Sequence, residues 1–199
     1  MELIFKIKNC WSVKQREESK LHHKIAYIHE DQYETFFRLL ESIPESFIDI
    51  EMKVFIAITL SSGLRVSETL SLRRRQINLN ENTFDVIPLK QRLAPNAEPL
   101  IRNGCALHPV AIKLLKNLYD RHSIPLGEKI FLFSRQTASN FMKKFHPLAC
   151  VHSLRHSHIT WLKEVKKLSQ EKVAKILAVK ERSINSYYSI DRKKVYQEI

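Results

Sequence analysis

The stretch VHSLRHSHITW, from Val151 to Trp161, places three histidines and one arginine within the seven residues from His152 to His158. On a period of 3.6 residues, this stretch and the residues that follow it divide into two helical faces. One face is apolar and predicts contact with the core through Val151, Leu154, Trp161, Leu162 and Val165. His158 falls inside this apolar face, where a packed and hydrogen-bonded histidine is the favoured interpretation.

The other face of the same predicted helix carries His152, Arg155 and His156 at positions i, i+3 and i+4. A solvated basic face is the ordinary interpretation of such a cluster. The alternative is a phosphate site, because an arginine offers a planar fork to two oxygens and a histidine one turn away adds a further donor. The helical pattern alone does not decide between these two interpretations.

The charge balance of the whole chain favours an anionic partner. The 199 residues include 33 Lys and Arg against 21 Asp and Glu, which gives a formal net charge of +12. Such a surplus is typical of proteins that bind nucleic acid, and less often of proteins that bind an anionic membrane surface. No apolar stretch is long enough to span a bilayer, and the first residues lack the cleavage site of a signal peptide.

The cysteines predict a cytoplasmic protein without a structural metal. Cys10, Cys105 and Cys150 are widely spaced, odd in number and outside any C-x-x-C motif. Disulfides and zinc fingers both need paired spacings, so three incidental thiols in a reducing compartment are the favoured interpretation.

Helical patterns on both sides of a single β signal predict an α+β fold that is mainly α. The helices include one that opens with an Asp31/Glu34 capping box, one that ends at Gly63 and one that begins after the N-cap Ser169. The segments TFDVIPLK and EPLIR predict a hairpin with a long loop, and Pro109 fits the first turn of the next helix. KIFLF predicts a short buried strand or an extended segment. Residues 1–24 are predicted as an extension or a lone short helix, and residues 25–199 as one domain.

Three segments together resemble the tyrosine recombinase (phage integrase) family. His152-x-x-Arg155, followed by His-Ser, is similar to that family's H-x-L-R-H-S box. SSGLRVSETLSL is similar to the first box, whose arginine is Arg65 here. The hairpin segment VIPLKQRLAPNAEPL lies where the family carries a catalytic lysine, which matches Lys90. The resemblance implies a tyrosine recombinase catalytic-domain fold with a small β-hairpin or sheet at one edge.

The resemblance also implies a catalytic tyrosine near the C-terminal end. The family usually has Leu-Gly-His followed nine residues later by the nucleophile, and the corresponding letters here end at Val179. That spacing selects Tyr188, with Tyr187 as the alternative. Val179 replaces a histidine or tryptophan that donates to the scissile phosphate, a loss that typically costs about 10²–10³ in rate. Lys180 is the predicted substitute donor.

The implied reaction is metal-free and cofactor-free cleavage and rejoining of DNA through a covalent 3′-phosphotyrosine. Arg65, Arg155 and His152 would meet the charge that develops on the phosphate. Further contacts with the DNA backbone are predicted for Arg73, Arg74, Arg75 and His156. Double-stranded DNA is the implied partner, with a homo-tetramer on paired sites and accessory DNA-bending proteins. The short N-terminus resembles that of the fimbrial-switch invertases, and predicts no full core-binding domain in front of the catalytic domain.

Other interpretations stay open from the sequence. Arg65 can pair locally with Glu68, Lys90 can be an ordinary turn lysine, and the three arginines from residue 73 can form a solvated helix end. A relative that binds DNA without cutting it is the main alternative function, supported by Val179 and the short N-terminus. A type IB topoisomerase or an RNA-binding protein explains fewer of the motifs.

Overall fold

The computed structural model of the chain describes residues 2–15, 24–86 and 102–179. Lys90, Lys180, Tyr187 and Tyr188 lie outside the described residues, so the roles assigned to them remain predictions. The helices of the described part are, in chain order, α1 (Glu2–Asn9), α2 (Tyr33–Ser42), α3 (Ile50–Ser62), α4 (Val66–Leu70), α5 (Pro109–Arg121), α6 (Arg135–Met142), α7 (Val151–Glu164) and α8 (Gln170–Ile176). The strands are β1 (Trp11–Gln15), β2 (Lys24–Ile28), β3 (Ile77–Asn78), β4 (Thr83–Val86) and β5 (Arg102–Ala106).

The strands of the described part form two small antiparallel sheets. In the first, β1 pairs with β2, and Trp11 lies opposite Ile28. In the second, the strand order is β3-β4-β5, and Phe84 on β4 lies opposite Cys105 on β5. In the described residues, the start of the predicted first strand forms β4 and pairs with β5, whereas most of the predicted second strand EPLIR lies outside them.

Helix α3 forms the centre of the core because it is apolar on almost every side. From Val54 to Ile58 every residue is fully buried, and α5 and α7 pack against the helix. A helix that is hydrophobic all round must be enclosed by other elements. It begins at the N-cap Asp49, whose carboxylate accepts from the Met52 amide at 2.7 Å. It ends at Gly63, as predicted.

Two predictions for the first part of the chain need correction. The capping box assigned to Asp31 and Glu34 is wrong, because Asp31 lies inside a 3₁₀ turn and α2 begins only at Tyr33. The 3₁₀ turn is capped instead by the His29 side chain, which accepts from the Asp31 amide. The residues predicted as an extension or lone helix form α1 and the paired strand β1, and they contribute Ile7, Cys10 and Trp11 to the core.

Predictions for the second half depend on local signals and are mostly confirmed. Pro109 opens α5, and the Ser169 hydroxyl accepts from the Lys172 amide at the start of α8. KIFLF is not a regular strand: its Lys129 makes only an isolated bridge with Arg73. The predicted class, mainly α with a small antiparallel sheet, is confirmed.

Candidate catalytic cleft

A cleft of about 530 Å³ opens where α4, α6 and α7 begin. It brings together Arg65 and His152, two residues that sequence motifs had singled out in separate halves of the chain. The cleft is lined by Arg65, Val66, Ser67, Arg135, Ser139, Cys150, Val151 and His152. Arg65 precedes α4 and His152 lies in the first turn of α7, so helix N-termini with their partial positive charge face the same space.

Glu68 holds Arg65 at the edge of this cleft. The Glu68 carboxylate accepts from the Arg65 backbone amide at 2.7 Å and from its guanidinium Nη1 at 2.9 Å. Glu68 is 1 % exposed, whereas the Arg65 side chain is 25 % exposed. The local pair predicted as an alternative for Arg65 is therefore present. It orients the guanidinium while leaving part of it accessible from the cleft.

Arg155 is not among the residues that line the cleft, and its burial corrects the prediction made from the helical wheel. Its side chain is fully buried, and Nη1 donates to the carbonyl oxygen of Gly63. His156 is 3 % exposed, and its ring meets that of His152 edge-on at 5.0 Å. The assignment of Arg155 and His156 to an outer face of α7 is therefore wrong, and only His152 of that set is exposed.

Helix α7 has neighbours on more than one side, which a wheel with a single buried face does not include. Helix α7 packs against α3 on one side and against β2 on another. The Ser157 hydroxyl accepts from the backbone amide of Ile28 in β2 at 2.7 Å. The predicted core face is correct for Val151, Leu154 and Leu162, but Val165 is 46 % exposed because it follows the end of the helix.

His158 is a core histidine, as predicted. Its Nδ1 lies 2.9 Å from the Tyr33 hydroxyl, and that hydroxyl donates to the Leu60 carbonyl at 2.7 Å. Because the phenol has a single proton, the hydrogen on Nδ1 must belong to the imidazole. Burial, followed by the positive charges of Arg102 and Arg155, lowers the pKa of His158 to about 3. His158 is therefore neutral at physiological pH.

Gly63, at the end of α3, packs closely against His158 of α7 and against Leu177, which follows α8. Its φ of 63° is left-handed, which glycine adopts at little cost. A Cβ at this position would lie 2.7 Å from Cδ2 of His158 and 2.8 Å from Cδ2 of Leu177. Both the backbone conformation and the available space therefore require glycine, directly beside the carbonyl that Arg155 contacts.

The three consecutive arginines after α4 differ in their surroundings. The Arg73 guanidinium donates to the Gly127 carbonyl, and that of Arg74 donates to the Ile124 carbonyl and lies 4.9 Å from the Tyr119 ring centroid. Arg75 is exposed. Arg73 and Arg74 thus fix the loop after α5, whereas Arg75 projects from the surface.

Leu177, Ala178 and Val179, which match the family's Leu-Gly-His motif and are called the third box here, follow α8 in an apolar setting. Ala178 has a left-handed φ of 48°. The Val179 amide donates to Ala174 at 3.0 Å and the Ala178 amide donates to Lys175 at 3.1 Å, which together form a Schellman C-cap. Val179 packs against the cluster that contains Ala174 and Leu177. The residue in the place of the family's phosphate donor is therefore used for packing.

Sequence reasoning missed two kinds of residue near this site. Arg135 and Ser139 line the cleft from α6. The sequence feature that could have pointed to them is Ser134, the N-cap that fixes where α6 begins. Arg102 was predicted only as the end of a strand. It is buried and donates to the Ser62 carbonyl, in the turn before Arg65. Within the described ranges, no three His, Cys, Asp or Glu side chains are grouped so that they could bind a metal ion, and every helix is too short or too polar to cross a membrane.

Comparison with known proteins identifies the family. The model of the phage integrase family matches residues 26–194. The chain belongs to this family. A search of curated proteins finds no match.

Solved structures show the same fold. The XerA recombinase has a TM-score of 0.62 and 19 % identity over 86 % of this chain and 64 % of its own. The XerH site-specific recombinase bound to difH substrate in a pre-cleavage complex has a TM-score of 0.65 and 15 % identity over 86 % of this chain and 52 % of its own. The Tn1549 transposon integrase in complex with a circular intermediate DNA has a TM-score of 0.61 and 14 % identity over 91 % of this chain and 67 % of its own.

These likenesses confirm the predicted tyrosine recombinase catalytic-domain fold. They are too distant in sequence to transfer an activity. The phage integrase member described here spans about half of the XerH chain and about two thirds of the XerA chain.

Proposed function

We propose that this phage integrase family member is a site-specific DNA recombinase, which cleaves and rejoins strands through a covalent 3′-phosphotyrosine. The observation that carries the proposal is the shared cleft: Arg65 and His152, which match two different family boxes, line one space of about 530 Å³. Arg155, from the same box as His152, supports the Arg65 turn through Gly63.

The described residues favour stabilisation of a phosphate in the transition state. Arg65 is oriented by a buried carboxylate, so its guanidinium needs little reorganisation when charge develops on the non-bridging oxygens. His152 and the N-terminus of α7 add donors on the opposite wall of the cleft. A metal ion is not part of the proposed mechanism, because fixed side-chain cations supply the positive charge.

Tyr188, Lys90 and Lys180 complete the proposed reaction on the strength of the family resemblance. The Tyr188 phenol loses its proton to water, its oxygen attacks phosphorus, the bond to the 5′ oxygen breaks, and Lys90 gives that oxygen a proton. A phenol has an ordinary pKa of about 10, so the cations of the cleft are needed to ease its deprotonation. Attack by a 5′-hydroxyl reverses the step and releases Tyr188, so rejoining needs no ATP. Lys180 substitutes for the donor missing at Val179.

The proposed partners follow from charge and from the structural neighbours. XerH and the Tn1549 integrase are structures with bound DNA, and this chain carries a net charge of +12. We propose double-stranded DNA as its partner in the cytoplasm, with a homo-tetramer on paired sites and accessory DNA-bending proteins. Arg75 is the best placed of the predicted backbone contacts because it is exposed.

One observation favours a second candidate function. Val179 packs against the apolar cluster of α7 and α8, where it offers no donor to a phosphate. A relative with this change could occupy recombination sites or titrate other subunits without cutting DNA.

A nicked suicide duplex separates the two functions. The protein is incubated with the duplex and denatured, and a DNA-linked protein band is measured. The recombinase forms this band, and Tyr188→Phe abolishes it while leaving non-covalent binding unchanged. Tyr187→Phe is the matched control and keeps the band. Binding without any covalent band from the native chain would establish the non-cutting function instead.

A further inference from the structure

Two arginines from distant elements donate to consecutive carbonyls at the end of α3. Arg102 on β5 donates through Nη2 to the Ser62 carbonyl at 2.9 Å, and Arg155 on α7 donates through Nη1 to that of Gly63. The last carbonyls of a helix lack intrahelical partners and form the negative end of its dipole. Guanidinium groups therefore stabilise this helix end. The family boxes include Arg155 but not Arg102.

Stability alone does not explain Arg102. The residue is 6 % exposed, and within the described part of the chain its Nε and Nη1 have no hydrogen-bond partner. Burial lowers the pKa of its guanidinium. A buried cation with two unpaired nitrogens is costly, and an apolar side chain of similar length is often as stable or more so. The placement suggests that its bond to Ser62 serves a purpose other than stability.

That bond joins strand β5 to the turn that carries Arg65. Ser62 precedes Arg65 by three residues, and the turn between them contains only Gly63 and Leu64. On the other side, Arg102 opens the strand β5, which pairs with β4. The segment between these strands contains Lys90, the predicted proton donor. Arg102 therefore fixes the hairpin strand to the turn that presents Arg65.

We propose that Arg102 is a positioning residue for strand cleavage, holding the Arg65 turn and strand β5 in one fixed arrangement. This inference rests on the proposed recombinase function. Without the bond to Ser62, strand β5 is held less firmly to the end of α3. A misplacement of about 1 Å can cost on the order of 100-fold in rate. DNA affinity is spread over many backbone contacts and changes little.

The test compares two buried cations that both donate to carbonyls at a helix end. Arg102→Met removes the bond to Ser62. Lys53→Met is the matched control, because buried Lys53 donates to the carbonyls of Ile43 and Glu41 at the end of α2. The measurements are the rate constant of covalent-complex formation at saturating protein and, separately, the Kd for the duplex. Arg102→Met is expected to lower the rate by about 10- to 100-fold with the Kd unchanged, and Lys53→Met to change neither.

Rescue and hydrogen exchange exclude a merely structural role. Arg102→Lys retains one donor and recovers much of the rate. Amide exchange in residues 62–69 becomes faster in Arg102→Met, whereas in Lys53→Met it becomes faster near the end of α2. Equal loss of rate in the two methionine variants, or unchanged exchange in residues 62–69, overturns the proposal. If the native chain binds DNA without forming a covalent complex, the recombinase function fails, and exchange alone decides whether Arg102 fixes the turn.

Discussion

Helices α3 and α8 are both followed by a residue with a left-handed φ, but this residue is glycine after α3 and alanine after α8. Gly63 follows α3 at φ 63°, and Ala178 follows the last turn of α8 at φ 48°. Glycine adopts this conformation freely, whereas a residue with a Cβ pays about 1–2 kcal/mol. The first end is built without strain. The second carries strain at the position where the family usually has glycine.

The surroundings of the two helix ends also differ, because charged groups contact the end of α3 and apolar groups contact the end of α8. The carbonyl of Gly63 and that of the residue before it are each contacted by an arginine, and the imidazole of His158 packs against the glycine. The end of α8 leads into Val179, which packs with apolar neighbours. The comparison indicates that the first box is built to hold charged groups in place. The third box, in the described residues, is built for packing.

Gly63→Ala is expected to have the largest effect. The added Cβ meets His158 and Leu177 at less than van der Waals distance, in a backbone conformation that disfavours alanine. Overpacking and the left-handed φ together predict a loss of about 3 kcal/mol in the free energy of unfolding, measured by urea denaturation. Gly104→Ala is the control, since Gly104 has a φ of 59° but nothing within 4 Å of its Cβ position. It should lose only about 1 kcal/mol. Equal losses would show that the close packing at Gly63 is not real.

The histidine that packs on Gly63 predicts a pH dependence. The folded pKa of His158 is about 3, below the value of about 6.5 expected in the unfolded chain. The unfolded chain therefore binds the proton first, so the contribution of His158 is fully present above about pH 6.5 and is lost as the pH falls towards 3. The resulting loss in the free energy of unfolding is about 2 kcal/mol between about pH 7 and about pH 5. Urea denaturation at the two pH values measures this decrease in the free energy of unfolding. The decrease should be smaller in His158→Gln than in the native protein. The same decrease in both proteins would contradict a buried neutral imidazole.

These features differ in how far sequence could predict them. Gly63 at a helix end, Ser169 at a helix start and His158 within an apolar face each follow from neighbours a few residues away, and all three are confirmed. The pairing of Arg65 with Glu68, three residues apart, was among the alternatives for the same reason.

The rest depended on contacts between distant segments. A helical wheel assumes one buried face, whereas Arg155 of α7 contacts the Gly63 carbonyl after α3, and β2 packs against α7 as well. The wheel therefore placed Arg155 and His156 outside, whereas both are buried. Arg135 reaches the cleft from α6, and no local pattern links it to Arg65. The roles of Lys90, Lys180 and Tyr188 remain predictions.

Ala178→Gly tests the comparison of the two helix ends from the side of α8. Its expected effect on the free energy of unfolding is the smallest, and it is a gain and not a loss. Glycine relieves the left-handed strain at φ 48° but adds entropy to the unfolded chain. The net expectation is a gain of about 0.5–1 kcal/mol in the free energy of unfolding, measured by urea denaturation. Ala174→Gly, within α8, should instead lose about 1 kcal/mol because its backbone is helical. A loss in both variants would mean that alanine suits the end of α8 as well as glycine suits the end of α3. The third box would then carry no strain, and the contrast between the two helix ends would rest on Val179 alone.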